Sequence, residues 1–240
     1  TWNLVENYEN DFRLWVTEIH PGRRETAVFQ CRQAFRPGLQ RQVETFDRTI
    51  VERDAYRVDA VFLDHKVPCL AFRLEEKRRV HVKKNALAEM GLPGGAWINA
   101  LKDCIHRNEP DESAFRVWWR GEDRGTVERV FVLGELKERI TKITPGQKIV
   151  YVSDVIDSPG NAGRIVEFAR SADLLFVEAC FLDEDRARAG EKYHLTARQA
   201  GRLARLAGAK RFVLFHHSPK YRGEEERFEE EARRAFEEGV

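Results

Sequence analysis

Four apolar segments of this chain each end in a histidine or an acidic residue, and this shared ending constrains the fold more than any other feature. The segments are VFLDH, IVYVSD, LLFVE and FVLFHH, which bring the chain to His65, Asp154, Glu178 and His216. Short apolar runs bounded by turn residues are typical of buried strands. In layered α/β folds, the polar residues at strand ends converge on one edge of a sheet. We therefore expect these side chains to face a common hollow.

Strands and helices alternate in the second half of the chain. The strands there are followed by the helical stretches NAGRIVEFARSA, ARQAGRLARLAGA and EEERFEEEARRAF. This alternation favours an α/β domain in which helices cover a sheet. The first eighty residues read mostly as strand, with Phe12, Leu14 and Val16 at alternating positions. The length suits one domain, or a domain with a small appendage.

Residues 82–106 interrupt this pattern. Their sequence, VKKNALAEMGLPGGAWINALKDCIH, is typical of two short helices on either side of Leu92-Pro93-Gly94-Gly95. Neither helix can run through that segment, because proline and glycine break helices. The pattern predicts a protruding helical hairpin.

The overall composition excludes several classes of protein. Lysine and arginine total 41 against 40 acidic residues, so the formal net charge is +1. Such a balance creates no global field for nucleic acid or anionic membranes, and any nucleic-acid contact must be local. No apolar run approaches the ~18 residues of a membrane span, and no signal-peptide layout is present. We expect a soluble, cytoplasmic protein whose four widely spaced cysteines are reduced thiols.

The residue types at the strand ends are those that bind metal ions. Imidazole nitrogen and carboxylate oxygen are ligands for zinc or manganese, and a carboxylate can bridge two ions. The alternative interpretation is structural. A histidine at a strand end is more often a hydrogen-bonded rim residue, and Asp154 could cap the helix that follows it.

The segment YHLTARQAGRLARLAGA predicts the start of a helix. Thr196 and Gln199 have the spacing of a capping box. His194 then lies beside backbone N–H groups whose partial positive charge favours a phosphate. The alternative is an ordinary histidine in a surface loop.

The segment FHHSPKY combines a metal ligand with groups that bind phosphate. It places His216, His217, Ser218, Lys220 and Tyr221 within six residues after a strand. Successive side chains of an extended chain point to opposite sides, so only one of the two histidines can easily face the site. The residue types do not choose between them.

Taken in order, these segments resemble ribonuclease Z, the zinc phosphodiesterase of the metallo-β-lactamase superfamily that removes 3′ trailers from precursor transfer RNA. The likeness covers nearly the whole chain and is carried by FLDHKVPCLAFRLEE, GQKIVYVSD, ADLLFVEACF, YHLTARQAG and FHHSPKY. It implies an α/β fold, the metallo-β-lactamase-like αββα sandwich, over residues 1–240. Residues 82–106 are similar in position to the helical arm with which this family grips transfer RNA.

The resemblance also implies roles for individual residues. His65 and His216 would be terminal metal ligands, and Asp154 would be shared by two zinc ions (Zn2+), with Mn2+ possible, in two-metal hydrolysis. His194 would assist proton transfer near the leaving group, and the resemblance selects His216 over His217. Glu178 would orient a ligand histidine or make a structural hydrogen bond. The expected phosphate contacts are Ser218, Lys220 and Tyr221.

The sequence departs from the family pattern at several positions. Ala71-Phe72 replaces Gly-Tyr, Gly94-Gly95 replaces Gly-Pro, Cys180 replaces threonine and Lys220 replaces arginine. The superfamily motif His-x-His-x-Asp-His does not occur in these residues, so we expect that an N-terminal part of the fold precedes them. The alternative functions are hydrolysis of a small phosphodiester and a non-catalytic RNA-binding or regulatory module. The expected partners are precursor tRNA or a small phosphodiester and, by family resemblance, a second copy in a homodimer.

Overall fold

The computed structural model describes residues 12–121 and 125–238, without the side chains at positions 37, 39, 40 and 238. The described residues form two compact units, divided after Ile50. The remaining residues of the single domain expected over 1–240 lie outside the described ranges, and that domain assignment stays a prediction.

The first unit is a three-stranded antiparallel sheet in the order β1-β2-β3. Its strands are β1 (Arg13–His20), β2 (Arg23–Gln30) and β3 (Pro37–Thr45). The predicted alternation near Phe12 falls on β1. Gly22 occupies the turn between β1 and β2 with φ +77°, a left-handed conformation that glycine adopts without steric cost.

The second unit is built on a six-stranded sheet with the order β13-β12-β11-β6-β5-β4, of which only the edge strand β4 begins before Val51. The strands are β4 (Thr49–Glu52), β5 (Tyr56–His65), β6 (Val67–Glu76), β11 (Lys148–Val152), β12 (Leu174–Glu178) and β13 (Phe212–Phe215). Strands β11, β12 and β13 are parallel, whereas β6 is antiparallel to both β5 and β11. Strand β5 therefore runs in the same direction as β11–β13, and all four end at the same edge.

Helices α4 (Pro159–Phe168), α5 (Arg186–Lys192), α6 (Ala197–Leu206) and α7 (Glu225–Glu238) complete this part of the unit. The predicted capping box is present, because Thr196 and Gln199 exchange hydrogen bonds at the start of α6. Phe228 and Ala232 of α7 are fully buried, so the charged residues around them form its solvated face.

An insertion between β6 and β11 has a hydrophobic core of its own. Its elements are β7 (Arg78–Val82), α1 (Lys84–Glu89), α2 (Trp97–His106), β8 (Ala114–Arg120), β9 (Thr126–Val132), α3 (Leu133–Ile140) and β10 (Thr141–Pro145). Strands β7 and β10 pair, which closes the insertion, and Trp97 and Leu136 are among its fully buried residues. The two helices expected in residues 82–106 are present as α1 and α2, within this larger unit. A role in RNA binding stays a prediction.

Among the described residues, every helix is too short or too polar to cross a membrane.

Candidate metal centre

Four side chains meet beyond the edge where β5, β11 and β13 end. His65 is the last residue of β5, Asp154 follows β11, and His216 follows β13. His194 comes from the connection between α5 and α6. Asp154, His194 and His216 each offer a ligand atom, and these atoms lie within 4.8 Å of one another. The ring centroids of His65 and His194 are 4.8 Å apart, so His65 lies beside this group through its contact with His194.

The imidazole of His65 is held by a main-chain carbonyl. Its Nδ1 lies 2.7 Å from the carbonyl oxygen of Tyr193. A carbonyl can only accept, so Nδ1 donates and the neutral ring keeps Nε2 free as a ligand. Tyr193 itself has φ +62° and ends α5.

Asp154 and His216 lie in direct contact. The distance between His216 Nδ1 and Asp154 Oδ1 is 2.7 Å, and both side chains are about half-exposed. Ser153 Oγ donates to the same carboxylate at 3.3 Å, and Cys69 Sγ donates to the Asp154 carbonyl at 3.0 Å. His216 has φ +65°, a strained conformation for a residue other than glycine, and such strain concentrates at functional sites.

A buried carboxylate orients His194. Oε1 of Glu178 lies 3.0 Å from His194 Nδ1 and also accepts a hydrogen bond from the Val155 amide at 2.8 Å. Glu178 has no exposure to solvent. Its hydrogen bond raises the pKa of His194, while burial of the ring acts in the opposite direction. The histidine that Glu178 contacts is therefore His194.

Comparisons with known proteins show which families this chain is similar to. A family model described as a beta-lactamase superfamily domain matches residues 139–217, which include Asp154, His194 and His216. The chain is 27% identical over 221 residues to ribonuclease Z of Deinococcus radiodurans, covering 92% of this chain and 61% of that protein. It is 35% identical over 192 residues to ribonuclease Z of Thermobifida fusca, covering 79% of this chain and 52% of that protein. It is 33% identical over 235 residues to ribonuclease Z of Gemmatimonas aurantiaca, covering 93% of this chain and 65% of that protein.

The resemblance to ribonuclease Z is confirmed. The chain spans 61%, 52% and 65% of the length of these three relatives. The predicted fold class, α/β of the metallo-β-lactamase type, is also confirmed.

Two solved structures show a partial similarity to this ribonuclease Z-like chain. The metallo-beta-lactamase fold protein YhfI from Bacillus subtilis is 16% identical, with a TM-score of 0.42, covering 80% of this chain and 47% of that one. Human tRNase Z, short form, is 21% identical, with a TM-score of 0.40, covering 72% of this chain and 41% of that one.

His217 lies apart from the four residues that meet at the sheet edge. Its Nδ1 is 3.0 Å from the carbonyl oxygen of Ala179, and its ring centroid is 4.2 Å from that of Phe228. The left-handed backbone at His216 turns the chain so that the two adjacent rings have different surroundings. The ribonuclease Z resemblance had selected His216, and that is the ring in contact with Asp154.

The three expected phosphate contacts hold the segment that follows His216. Ser218 Oγ accepts a hydrogen bond from the Lys220 amide, and Lys220 Nζ pairs with the carboxylate of Asp185. The hydroxyl of Tyr221 donates to that same carboxylate. Burial, reinforced by Asp185, raises the pKa of Tyr221 to about 12. Contact of these residues with a phosphate stays a prediction.

The groups that sequence reasoning missed include the Asp185 carboxylate and the Tyr193 carbonyl. Asp185 belongs to the acidic run Asp183-Glu184-Asp185, which could have suggested a partner for Lys220. The Tyr193 carbonyl carries no signal, because the side-chain pattern does not reveal where a backbone oxygen points.

Proposed function

We propose that this protein is a metal-dependent phosphodiesterase that removes 3′ trailers from precursor tRNA by endonucleolytic cleavage. The observation that carries the proposal is the meeting of His65, Asp154, His194 and His216 in a chain similar to ribonuclease Z. A cytoplasmic location and a homodimeric assembly come with the same resemblance and belong to the same proposal.

The donor set fits a divalent metal, and zinc is the ion we propose. His65, Asp154 and His216 would hold it, because they offer two imidazoles and a carboxylate, a ligand set common at catalytic zinc sites. The hydrogen bond from His65 Nδ1 to the Tyr193 carbonyl favours the tautomer that leaves Nε2 available. When bound, the metal supplies a Lewis acid and lowers the pKa of a coordinated water.

His194 would serve as the proton donor to the leaving oxygen. Its Nδ1 is tied to Glu178, so Nε2 is the atom that can exchange a proton with substrate. The nearby carboxylate stabilises the imidazolium and raises its pKa, which keeps more of the acid form present near neutral pH. Glu178 thus orients the ring and supports its charge.

Contacts with RNA would come from separate parts of the surface. Lys220 and Ser218 would contact phosphate once Lys220 leaves Asp185. In the insertion, Lys83 is not the residue we propose for RNA contact, because its Nζ donates to the Glu138 and Arg139 carbonyls and so caps the end of α3. Arg129, which lies 5.4 Å from the Trp119 ring centroid, offers a cation and an aromatic surface of the kind that binds nucleotides.

The test compares two substrates and two neighbouring carboxylates. The protein is incubated with zinc and either a precursor tRNA carrying a 3′ trailer or bis(p-nitrophenyl) phosphate. Asp154→Asn should lose bound zinc and at least about 100-fold in trailer cleavage. Asp157→Asn is the matched control, because Asp157 lies in the same loop but pairs with Arg202 at 2.8 Å. It should retain both properties.

The other outcomes identify the alternatives. Cleavage of the small diester without trailer cleavage would indicate a small phosphodiester as substrate. Binding of RNA with no zinc and no cleavage would indicate a non-catalytic module. Full activity of Asp154→Asn would refute the assigned centre.

A further inference from the structure

Asn161 is a buried amide that touches the main chain beside two of the metal-site residues. It lies in the first turn of α4 and is 1% exposed. We propose that Asn161 is a positioning residue, which joins the backbone next to His65 to the backbone next to Asp154. This inference rests on the metal centre of the proposed function.

The amide makes three hydrogen bonds to two main-chain segments. Its Oδ1 accepts from the Asp64 amide at 3.0 Å, and its Nδ2 donates to the Asp64 carbonyl at 3.0 Å. The same Nδ2 donates to the Ile156 carbonyl at 2.9 Å. The side-chain amide thus donates two hydrogen bonds and accepts one. Asp64 is bonded to it through both its backbone N–H and its backbone C=O.

The sheet alone does not join these two segments. His65 ends β5 and Asp154 follows β11, but β6 lies between these strands in the sheet. Beyond the strand ends, the backbone N–H of Ile156 donates to the Asp64 carbonyl at 3.2 Å. The side-chain amide of Asn161 bonds to both of these segments as well. The spacing between the two ligand-bearing segments is therefore set by one main-chain hydrogen bond together with the three hydrogen bonds of this side chain.

An asparagine suits this position because it both donates and accepts. An ionised aspartate has the same shape but cannot donate, and leucine of similar volume can do neither. Loss of the amide would leave main-chain groups of Asp64 and Ile156 without these partners, and the segments would shift to find others. Residues that hydrogen-bond a metal ligand directly change metal affinity about 10–100-fold when removed, and Asn161 acts on the main chain of the segments that carry two ligands, so we expect an effect of the same order.

A purely structural role in α4 predicts a different result. The side-chain oxygen of Ser158 caps that helix by accepting a hydrogen bond from the backbone N–H of Asn161 at 3.2 Å. Ser158→Ala therefore weakens the start of the same helix but leaves the Asn161 side chain and its three hydrogen bonds in place. Asn161→Asp instead removes the hydrogen bonds that the side chain donates but favours the start of the helix, since an aspartate in the first turn is favourable there.

The experiment measures zinc affinity of the intact protein by competition with a chromogenic chelator, alongside urea unfolding of the metal-free protein. We expect Asn161→Asp to weaken zinc binding about 10–100-fold. We expect Ser158→Ala to bind zinc within about twofold of wild type, although its unfolding midpoint falls. Asn161→Leu provides the same test if the aspartate variant does not fold.

Three results would overturn the inference. The first is wild-type zinc affinity in a folded Asn161 variant. The second is an equal loss of affinity in Ser158→Ala, which would assign the effect to helix stability. The third is a wild-type protein that takes up no zinc, which would also refute the proposed metal centre, whereas the first two leave that centre intact.

Discussion

Nδ1 of His194 lies 3.0 Å from Oε1 of Glu178, a carboxylate that is fully buried. Glu178 ends β12, and His194 precedes α6, so the contact joins the sheet edge to the helical layer. The same oxygen accepts from the Val155 amide, next to Asp154. One carboxylate thus sets the ring orientation of His194 and the path of the loop that carries Asp154.

Glu178→Gln should lower the pKa of His194. The hydrogen bond to Glu178 is the main cause that raises this pKa, and a neutral amide stabilises imidazolium less. In wild type, the raised pKa stabilises the fold fully below about pH 6.5, and this contribution is lost as pH rises through the folded-state value. NMR titration of the metal-free protein measures the change. Unchanged titration of His194 in the variant would contradict this account.

The adjacent histidines should respond differently to substitution. His216→Ala should reduce zinc binding and change the free energy of unfolding by less than about 1 kcal/mol, because the ring is half-exposed. His217→Leu should keep zinc binding but lower the free energy of unfolding by about 1–3 kcal/mol, since the Ala179 carbonyl loses its partner. Urea unfolding and zinc titration measure the two effects. Loss of zinc in His217→Leu alone would reverse the assignment.

Two helical glycines should give opposite effects when changed to alanine. A Cβ at Gly201 of α6 would lie 2.1 Å from the Ala232 carbonyl oxygen of α7. Gly201→Ala should therefore destabilise the protein by about 1–3 kcal/mol or more, through overpacking. Gly163 of α4 has open space around its Cβ position, and Gly163→Ala should stabilise by about 0.5–1 kcal/mol. Thermal and urea unfolding of the Gly201→Ala and Gly163→Ala variants test the close approach of α6 and α7.

Glu231 should make stability depend on pH. Its Oε1 accepts from the Asp183 and Arg198 amides, both at 3.0 Å. Burial raises its pKa, although these two hydrogen bonds oppose the change. A raised carboxyl pKa favours the fold at low pH, and that contribution is lost as pH rises through the folded-state value. Glu231→Gln keeps an acceptor without the charge, so its stability relative to wild type should increase with pH. Urea unfolding midpoints of the variant and of wild type, measured from below pH 4.5 to neutral pH, check the trend. A difference between the two midpoints that does not change with pH would contradict it.

The strand-end pattern predicted that His65, Asp154 and His216 would lie at one edge of a sheet, because the residue that ends an apolar run can be read from the local sequence. Apolar runs ending in His65, Asp154 and His216 mark strands whose ends meet whenever those strands run the same way. The structure has that arrangement, with β6 as the antiparallel strand between β5 and β11. Residue type then limited the chemistry to imidazole and carboxylate.

The insertion illustrates what local signals miss. Gly91 has φ +62°, and the Leu92-Pro93-Gly94-Gly95 segment separates α1 from α2, as the sequence predicted. The pairing of Val82 with Thr141, which closes the insertion, joins residues far apart in the chain. Propensity within a short window contains no information about such a partner.

Sequence by itself determined which histidines and carboxylates follow the strands, the capping box of α6 and the two helices of residues 82–106, because each depends on neighbouring residues. Tertiary structure decided that Lys220 and Tyr221 contact Asp185, that Glu178 contacts His194, and that Asn161 bridges Asp64 and Ile156. Each of these contacts is a hydrogen bond or ion pair between groups distant in sequence. Such groups meet only when the sheet and its covering helices have set the distances between them.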